Sequence, residues 1–252
     1  GDIYVFDAFG TAHRKQASTH AAILSSKDSC GGILLKQEIE SLNKAMLNTL
    51  SPYLAIIGGA KVSSKLGLIN TLNMKADSII VGGGIANTFL KASGYEVGTS
   101  LVEDSMLDIA SDMLKKNKIL LPSMVVTSTS FEGADVKIKK IDAVTNDEMI
   151  LDQLLTEQMQ DVIKSSKLIL WNGPLGVFEN PLFSSGTESL AQNIKTSDGY
   201  SIAGGGETLS AINTFINKDD VSYCSTGGGA FLEYMEGKKL PSIEALSRQE
   251  IG

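Results

Sequence analysis

The sequence contains little cysteine and little histidine. Among 252 residues there are 2 of each, and neither Cys30 nor Cys224 has a partner at the short spacing typical of metal ligands. We therefore expect reduced, structural cysteines and no histidine-based metal site. No apolar run approaches the roughly 20 residues that a membrane-spanning helix needs, and no secretory signal pattern is present. These absences favour a cytoplasmic protein without a membrane partner.

Positive charge and several catalytic fingerprints are also missing. The formal net charge of −7 and the pI of about 4.9 disfavour a nucleic-acid-binding surface. No glycine cluster fits G-x-G-x-x-G, and neither G-x-x-x-x-G-K-[ST] nor G-x-S-x-G occurs. The usual patterns of dinucleotide-binding proteins, P-loop proteins and α/β-hydrolases are therefore absent.

The most informative segment that is present is YLAIIGGAKVSSK, residues 53–65. An apolar run ending in two glycines is typical of a buried parallel strand that turns into a helix. The bare glycines admit a ligand, and the free N–H groups of the new helix attract anions. The four-residue spacing of Lys61 and Lys65 predicts that both project to one spot. An ordinary strand-to-helix turn with two solvated lysines is the alternative.

This arrangement of strand, glycines and helix recurs in four further segments, residues 77–90, 167–179, 199–212 and 221–237. Glycines at the carboxyl ends of parallel strands lie along one edge of an open sheet, where such folds bind ligands. The alternation predicts an α/β fold, a Rossmann-like three-layer sandwich with a mostly parallel sheet.

Other elements follow from periodicity and capping patterns. They comprise a strand at 2–9, a helix at 34–50 ended by Pro52, a helix at 99–117 with Ser100 and Glu103 as a capping box, a strand at 119–129 and a helix at 149–165.

Two glycine-rich turns carry candidate chemistry. Glu207 follows three glycines, where a carboxylate can hold Mg²⁺ against phosphate oxygens, or can simply stabilise the first turn of a helix. Thr208 offers a hydroxyl to a phosphate or caps the helix. In WNGPLGVFE, residues 171–179, Pro174 and Val177 predict an apolar wall, and Glu179 can accept hydrogen bonds from a ribose.

Six motifs, in chain order, resemble those of phosphoglycerate kinases. They are DAFGTAHR (7–14), IIGGAKVSSK (56–65), IIVGGGIANTFL (79–90), WNGPLGVFE (171–179), IAGGGETLSAI (202–212) and STGGGAFLEYMEGK (225–238). The resemblance covers nearly the whole chain and implies the phosphoglycerate kinase fold with the N-terminal lobe largely absent. It implies that residues 1–33 are the remnant of an N-terminal, triose-phosphate domain and that residues 34–52 form an interdomain helix. It further implies a nucleotide-binding domain at 53–237 and a tail at 238–252 that returns toward the N-terminal lobe.

The resemblance also implies a function and its residues. Members of the family are monomers that transfer a phosphoryl group reversibly between 1,3-bisphosphoglycerate and ADP, giving 3-phosphoglycerate and MgATP, with hinge closure between two lobes. For the reacting groups it implies Lys61, Arg14, Gly206 and Gly229, with Arg14 binding the triose phosphate. For the nucleotide and its Mg²⁺ it implies Lys65, Gly59, Gly83, Asn172, Pro174, Val177, Glu179, Gly205, Gly206, Glu207 and Thr208, with Glu207 as the metal ligand and Asn172 on the adenine wall.

The sequence departs from the family pattern in three respects. Most of the triose-phosphate site is missing with the N-terminal lobe, so we expect preceding sequence and an inactive chain by itself. Glu207 stands where Asp is usual, which changes the reach of the carboxylate. The connections near 150–153 and 122–124 are short, either because the loops are trimmed or because the sequence in hand omits residues.

Two other functions compete with the kinase. A nucleotide-binding module without transfer activity would need Lys65, Glu179 and Glu207 but not Arg14, so the GTAHR segment favours the kinase. A nicotinamide-dependent dehydrogenase is disfavoured by the missing G-x-G-x-x-G pattern.

Overall fold

The computed structural model describes residues 1–47, 50–133 and 135–248. Within them the strands are β1 (Tyr4–Phe6), β2 (Ser29–Gly31), β3 (Tyr53–Ile57), β4 (Ser78–Val81), β5 (Ile119–Leu120), β6 (Met124–Ser128), β7 (Lys137–Lys140), β8 (Met149–Gln153), β9 (Leu168–Asn172), β10 (Tyr200–Ala203) and β11 (Tyr223–Cys224).

The helices connect these strands on both sides of the largest sheet. They are α1 (Ala22–Ser25), α2 (Ile33–Met46), α3 (Val62–Lys75), α4 (Gly83–Ala92), α5 (Leu107–Leu114), α6 (Glu157–Ser165), α7 (Ser185–Lys195), α8 (Gly206–Phe215), α9 (Gly228–Met235) and α10 (Pro241–Ser247). No helix of the described ranges is long and apolar enough to cross a membrane.

The central sheet has six parallel strands in the order β11-β10-β9-β3-β4-β5. Its middle strand β3 is buried on both faces, as parallel sheets covered by helices require. Tyr53, Ala55 and Ile57 belong to one hydrophobic cluster, which includes side chains of α2, α3, α4 and α9. Leu54 and Ile56 belong to the opposite cluster, which includes side chains of α6, α7 and α8. The predicted three-layer α/β fold with a mostly parallel sheet is confirmed.

A separate antiparallel sheet, in the order β7-β6-β8, lies beside the central one. The helix predicted for 149–165 is therefore wrong in its first part, which forms β8, and only α6 is helical. A register shift in β8 opposite Val126 and Thr127 leaves Leu151 as an extra residue. Ile150 and Leu151 face different hydrophobic clusters, as successive residues of a strand do, so two adjacent positions are apolar and the alternation expected of a strand is hidden.

The strand predicted for 119–129 is divided between the two sheets. Its first part, β5, is the edge of the central sheet, and its second part, β6, is the middle strand of the antiparallel sheet. Pro122 lies between them, and proline cannot donate a backbone hydrogen bond to a sheet.

The helix predicted for 99–117 occupies only the second half of that range, as α5. Its predicted capping box is wrong, because the hydroxyl of Ser100 donates to the carbonyl of Val97. The carboxylate of Glu103 instead accepts from the backbone N–H of Ser63, 2.9 Å away in the first turn of α3.

The N-terminal segment and the C-terminal helix pack together. The strand predicted for 2–9 is shorter, and β1 pairs in parallel with β2. In α10, the backbone N–H and the hydroxyl of Ser242 donate to the carbonyls of Ala12 and Thr19, at 3.1 and 2.5 Å. The predicted interdomain helix at 34–52 ends earlier, at Met46. Residues 48–49 of that prediction and 249–252 of the predicted tail lie outside the described residues, and the division into domains stays a prediction.

Candidate functional site

The glycine-rich turns lie where the strands of the central sheet end, and two neighbouring cavities lie among them. The larger has a volume of about 420 Å³ and the smaller about 220 Å³. Glu207, the second residue of α8, lines both. The carboxyl edge of the sheet therefore carries one continuous candidate site with two compartments.

The larger cavity is mainly apolar. Its predicted members are Gly59, Gly83, Pro174, Val177, Glu179 and Glu207. Pro174 and Val177 come from the turn after β9, and the glycines come from the turns after β3 and β4. An apolar compartment with carboxylates at its margin suits a flat heterocycle joined to a hydroxylated sugar.

The smaller cavity has a different character. It is lined by Lys65, Asn172, Gly173, Gly205, Gly206, Glu207, Thr208, Gly228 and Leu232. The first turns of α8 and α9 both contribute, and the N–H groups in the first turn of a helix are unpaired within the helix and attract anions. A lysine and two helix N-termini around one space provide the chemistry of a phosphate site.

Lys65 is the cation of the smaller cavity. Its ammonium group donates to the carbonyl oxygens of Gly58 at 2.5 Å and Asn172 at 3.2 Å. Burial lowers the pKa of Lys65 from 10.5 to about 8, and the nearby Glu207 carboxylate opposes that shift. The ammonium has three N–H donors, so one remains for a bound anion.

Lys61 does not share this position. It precedes α3 as its N-cap residue with an extended backbone, φ −137° and ψ 133°. The prediction that Lys61 and Lys65 lie on one helix face is therefore wrong, since that spacing applies only inside a helix. The positive charge of Lys61 instead helps to lower the pKa of Glu103, after the larger effect of hydrogen bonds from Ser63.

Asn172 and Thr208 hold the turns in place. The Asn172 amide donates to the carbonyl of Gly204 at 2.6 Å. The Thr208 hydroxyl donates to the same carbonyl at 2.9 Å and accepts from the N–H of Gly173 at 2.8 Å. Because that hydroxyl proton is used internally, Thr208 can offer an anion its backbone N–H. Asn172 was predicted to form the adenine wall together with Pro174 and Val177. It instead lines the smaller cavity, while Pro174 and Val177 line the larger one.

The backbone at Gly205 requires glycine. Its φ of 98° lies in the left-handed region, and a Cβ there would lie 2.9 Å from the Asn172 amide nitrogen. This conformation directs the chain into α8 with its first turn facing the smaller cavity.

Glu207 is suited to hold a divalent cation together with a phosphate. Its side chain is exposed, and within the described ranges it forms neither a hydrogen bond nor an ion pair. Over the same ranges, no group of three or more His, Cys, Asp and Glu side chains is arranged to bind a metal. Mg²⁺ commonly binds through one carboxylate, substrate phosphates and water, so the residues present fit a cation that arrives with a phosphorylated ligand.

Arg14 and Gly229 lie beyond the two cavities. The Arg14 Nε donates to His13 Nε2 at 3.3 Å, and a Cβ on Gly229 would lie 2.9 Å from the same His13 atom. Among the described residues that line the two cavities, Arg14, Lys61 and Gly229 do not occur. His13, the partner of Arg14, nevertheless lies against Gly229 in α9, the helix that contributes Gly228 to the smaller cavity.

Several residues of the larger cavity are absent from the sequence predictions. They are Ala60, Asn87, Thr99, Leu101, Phe131, Met149, Ile150, Leu151 and Gly176. Phe131 and Leu101 are 59% and 52% exposed, unusual for large apolar side chains. Phe131 and Leu101 do not belong to a recognisable turn pattern, so the sequence gives no signal for them. Met149 and Leu151 lie in β8, which the periodicity predicted to be part of a helix.

The fold and the paired cavities define an α/β protein whose candidate ligand site lies at the carboxyl edge of a parallel sheet. A sequence model of the family described as phosphoglycerate kinase matches residues 1–238. The phosphoglycerate kinase of Vibrio campbellii (strain ATCC BAA-1116) is 48% identical over 248 residues, covering 97% of this chain and 64% of the relative. The chain therefore belongs to the phosphoglycerate kinase family.

Two solved structures agree with this assignment. Phosphoglycerate kinase from Coxiella burnetii matches with a TM-score of 0.93 at 46% identity, covering 98% of this chain and 66% of that one. The enzyme from Pyrococcus horikoshii OT3 matches with a TM-score of 0.84 at 28% identity, covering 99% and 65%. The chain thus spans 64–66% of the length of these relatives.

Proposed function

We propose that this chain carries the nucleotide site of a Mg²⁺-dependent glycolytic kinase, which transfers a phosphoryl group reversibly between 1,3-bisphosphoglycerate and ADP to give 3-phosphoglycerate and ATP. The observation that carries the proposal is the pair of cavities joined at Glu207, one apolar and one lined by Lys65 and helix N-termini. Family membership supports the same reaction.

In this proposal the larger cavity holds the adenosine. Adenine packs against Gly83, Pro174 and Val177, and Glu179 accepts hydrogen bonds from the ribose. Phe131 closes the cavity, and its carbonyl accepts from the Asn180 amide at 2.8 Å, which holds its loop against the turn after β9. Exposed aromatic surface beside an apolar wall favours a flat base.

The phosphates extend into the smaller cavity. Lys65 and the backbone N–H groups of Gly205, Gly206 and Thr208 bind them, and Glu207 is the protein ligand of Mg²⁺. Such a cation neutralises phosphate charge during transfer. Lys61, Arg14, Gly206 and Gly229 face the transferring group and the triose substrate, which closure of two lobes brings together while excluding water. The domain boundaries given above complete the proposal, for a cytoplasmic monomer without nucleic-acid or membrane partners.

Calorimetric titration of ADP with and without Mg²⁺ tests the nucleotide site. We expect Mg²⁺ to tighten ADP binding about tenfold in the wild type and to have little effect in Glu207→Gln, because an amide is a weaker cation ligand. Glu157→Gln, which removes a first-turn glutamate from α6, is the matched control and should behave as wild type. NAD binding tighter than ADP would instead support a dehydrogenase.

One observation favours a binding module without transfer activity. Lys61 and Arg14, the side chains assigned to the reacting groups, are not among the described residues lining either cavity. Turnover of ATP with 3-phosphoglycerate by the complete two-lobed protein would exclude the module, and ADP binding without turnover would support it.

A further inference from the structure

Asp152 is a buried carboxylate for which the proposed phosphoryl transfer has no use. It lies in β8 and is 1% exposed. Its Oδ2 accepts from the N–H of Gly186 at 2.8 Å and from the hydroxyl of Ser185 at 3.1 Å. Its Oδ1 has no hydrogen-bond partner in the part of the chain that the structure describes. A buried charge with an unpaired oxygen is costly, so its position calls for a physical reason.

The first reason is the start of α7. The residue before this helix, Ser184, makes no capping hydrogen bond with its side chain in the described structure. Asp152 supplies that bond from a different element, and a negative charge at a helix N-terminus is favourable. Burial raises the pKa of Asp152 from 3.8 to about 6, while the hydrogen bond from Gly186 acts in the other direction.

The second reason is close packing against two turns. A Cβ on Gly176 would lie 2.4 Å from Asp152 Oδ1, and a Cβ on Gly186 would lie 2.6 Å from the same atom. Only glycine leaves room for the carboxylate at both positions. Asp152 therefore lies between the turn after β9 and the first turn of α7.

These contacts lie next to one wall of the larger cavity, to which Gly176 contributes. Leu151, which precedes Asp152, lines it, and its carbonyl accepts from the N–H of Val177 at 2.8 Å. Gln153, which follows, donates to the carbonyl of Val81 at 2.8 Å. Residues 151–153 thus join the antiparallel sheet to the walls contributed by β4 and by the turn after β9.

We propose that Asp152 is a positioning residue for the nucleoside: by binding the first turn of α7 it anchors the wall of the larger cavity in which Leu151 is hydrogen-bonded to Val177. The inference rests on the proposed function, since it concerns the part of the site assigned to adenosine. Asp152 itself is too deeply buried to contact the ligand, and it acts through its two neighbours.

The test compares ligands that fill different compartments. Adenosine, ADP and inorganic pyrophosphate are titrated into the wild type, Asp152→Asn and Asp152→Ala, using the 252-residue chain. We expect adenosine and ADP to weaken together, about threefold in Asp152→Asn and about tenfold in Asp152→Ala, because the amide keeps one acceptor for Gly186 while alanine keeps none. Pyrophosphate affinity should stay within twofold.

Two controls make the result decisive. Glu188→Gln removes an exposed charge from the same turn of α7 and should leave all three affinities unchanged. The fluorescence of Trp171, the single tryptophan and 1% exposed, reports whether each variant is folded. If Asp152→Ala does not fold, the affinities of Asp152→Asn for adenosine and pyrophosphate test the proposal alone.

Each outcome bears on one of the two proposals. Equal loss of pyrophosphate and adenosine affinity would show a general structural role and overturn the positioning role. Unchanged adenosine affinity in a folded variant would also overturn it, with the proposed function intact. Failure of the wild type to bind adenosine or ADP would overturn the proposed function and this inference with it.

Discussion

At the scale of single residues, the half-buried ammonium of Lys65 governs the charge of the smaller cavity. Its two carbonyl contacts satisfy the donors that point into the protein, while burial destabilises the charged form. The cation is therefore present at neutral pH but is closer to losing its proton than a surface lysine.

This arrangement predicts that ADP binding weakens as the pH rises through about 8, the pKa of Lys65 in the free protein. Below that pH the ammonium is charged and attracts phosphate. Above it, each further pH unit should weaken binding up to about tenfold, because one proton must be taken up on binding. Calorimetric titrations between about pH 7 and pH 9 measure the slope.

Lys65→Met is the matched variant, since it keeps an unbranched side chain without the amine. We expect weaker ADP binding at pH 7 and a flat profile at higher pH. A wild-type affinity that stays constant over the whole range would contradict the assignment of Lys65 to the phosphates.

The contrast between Lys61 and Lys65 shows which residue roles a sequence can predict. The glycine turns that bring Lys65, Gly205 and Glu207 together follow from local patterns at strand ends, and the structure places them around one cavity. The orientation of Lys61 depends on the residue at which α3 begins, because a helix beginning one residue earlier would include Lys61. The internal hydrogen bonds of Thr208 depend on β9, which is distant in sequence.

At the scale of elements, the antiparallel sheet contains a buried carboxylate with two cations. The Glu148 carboxylate forms ion pairs with Lys139 at 2.7 Å and Lys137 at 3.0 Å. The side chain of Glu148 is 2% exposed, that of Lys139 is 18% exposed and that of Lys137 is 54% exposed. Burial alone would raise the pKa of Glu148, but the hydrogen bonds from both lysines and Thr145 outweigh it and lower the pKa to about 2. The two lysines differ mainly in how far water screens them.

That difference predicts unequal effects of two similar substitutions. Lys139→Met should lower the free energy of unfolding by about 3 kcal/mol, because it removes the buried partner of a buried charge. Lys137→Met should cost much less, because water screens the more exposed Lys137 ammonium. Urea unfolding at pH 7 measures both, with Lys140→Met, on the same strand, as the control. Equal losses for Lys139 and Lys137 would contradict the argument.

Strand β8 shows why this sheet was harder to predict than the central one. Strands β3, β4 and β9 are continuous apolar runs that end in glycines, so their burial on two faces is visible in the sequence. In β8 the adjacent residues Ile150 and Leu151 are both apolar because each faces a different hydrophobic cluster, so the alternation of apolar and polar residues is lost and the pair also fits a helical spacing. The wall of the cavity contributed by Leu151 was missed for that reason.

At the scale of the whole molecule, α2 connects the N-terminal segment with the loop before α9. The buried carboxylate of Glu38 in α2 accepts from the N–H of Thr226 at 2.6 Å and from the hydroxyls of Thr226 and Ser225 at 2.7 and 2.9 Å. Thr226 lies two residues before α9, whose first turn lines the smaller cavity. The anion-binding end of α9 is therefore positioned by an element that also contacts residues 1–33.

The separation of Arg14 from the two cavities predicts how the 252-residue chain should behave by itself. We expect it to bind MgADP without turning over ATP and 3-phosphoglycerate. The two described cavities account for a nucleotide, but Arg14 lies outside them and no further basic side chain of the cavities joins it to bind a triose phosphate. Arg14→Ala should change ADP affinity less than twofold in this chain. In the complete two-lobed protein the same change should raise the KM for 3-phosphoglycerate about tenfold, as loss of a charged hydrogen bond does. Calorimetry and a coupled kinase assay measure these quantities.

A large loss of ADP affinity in Arg14→Ala, with the KM for 3-phosphoglycerate unchanged, would place Arg14 at the nucleotide and contradict the division of substrates between two lobes.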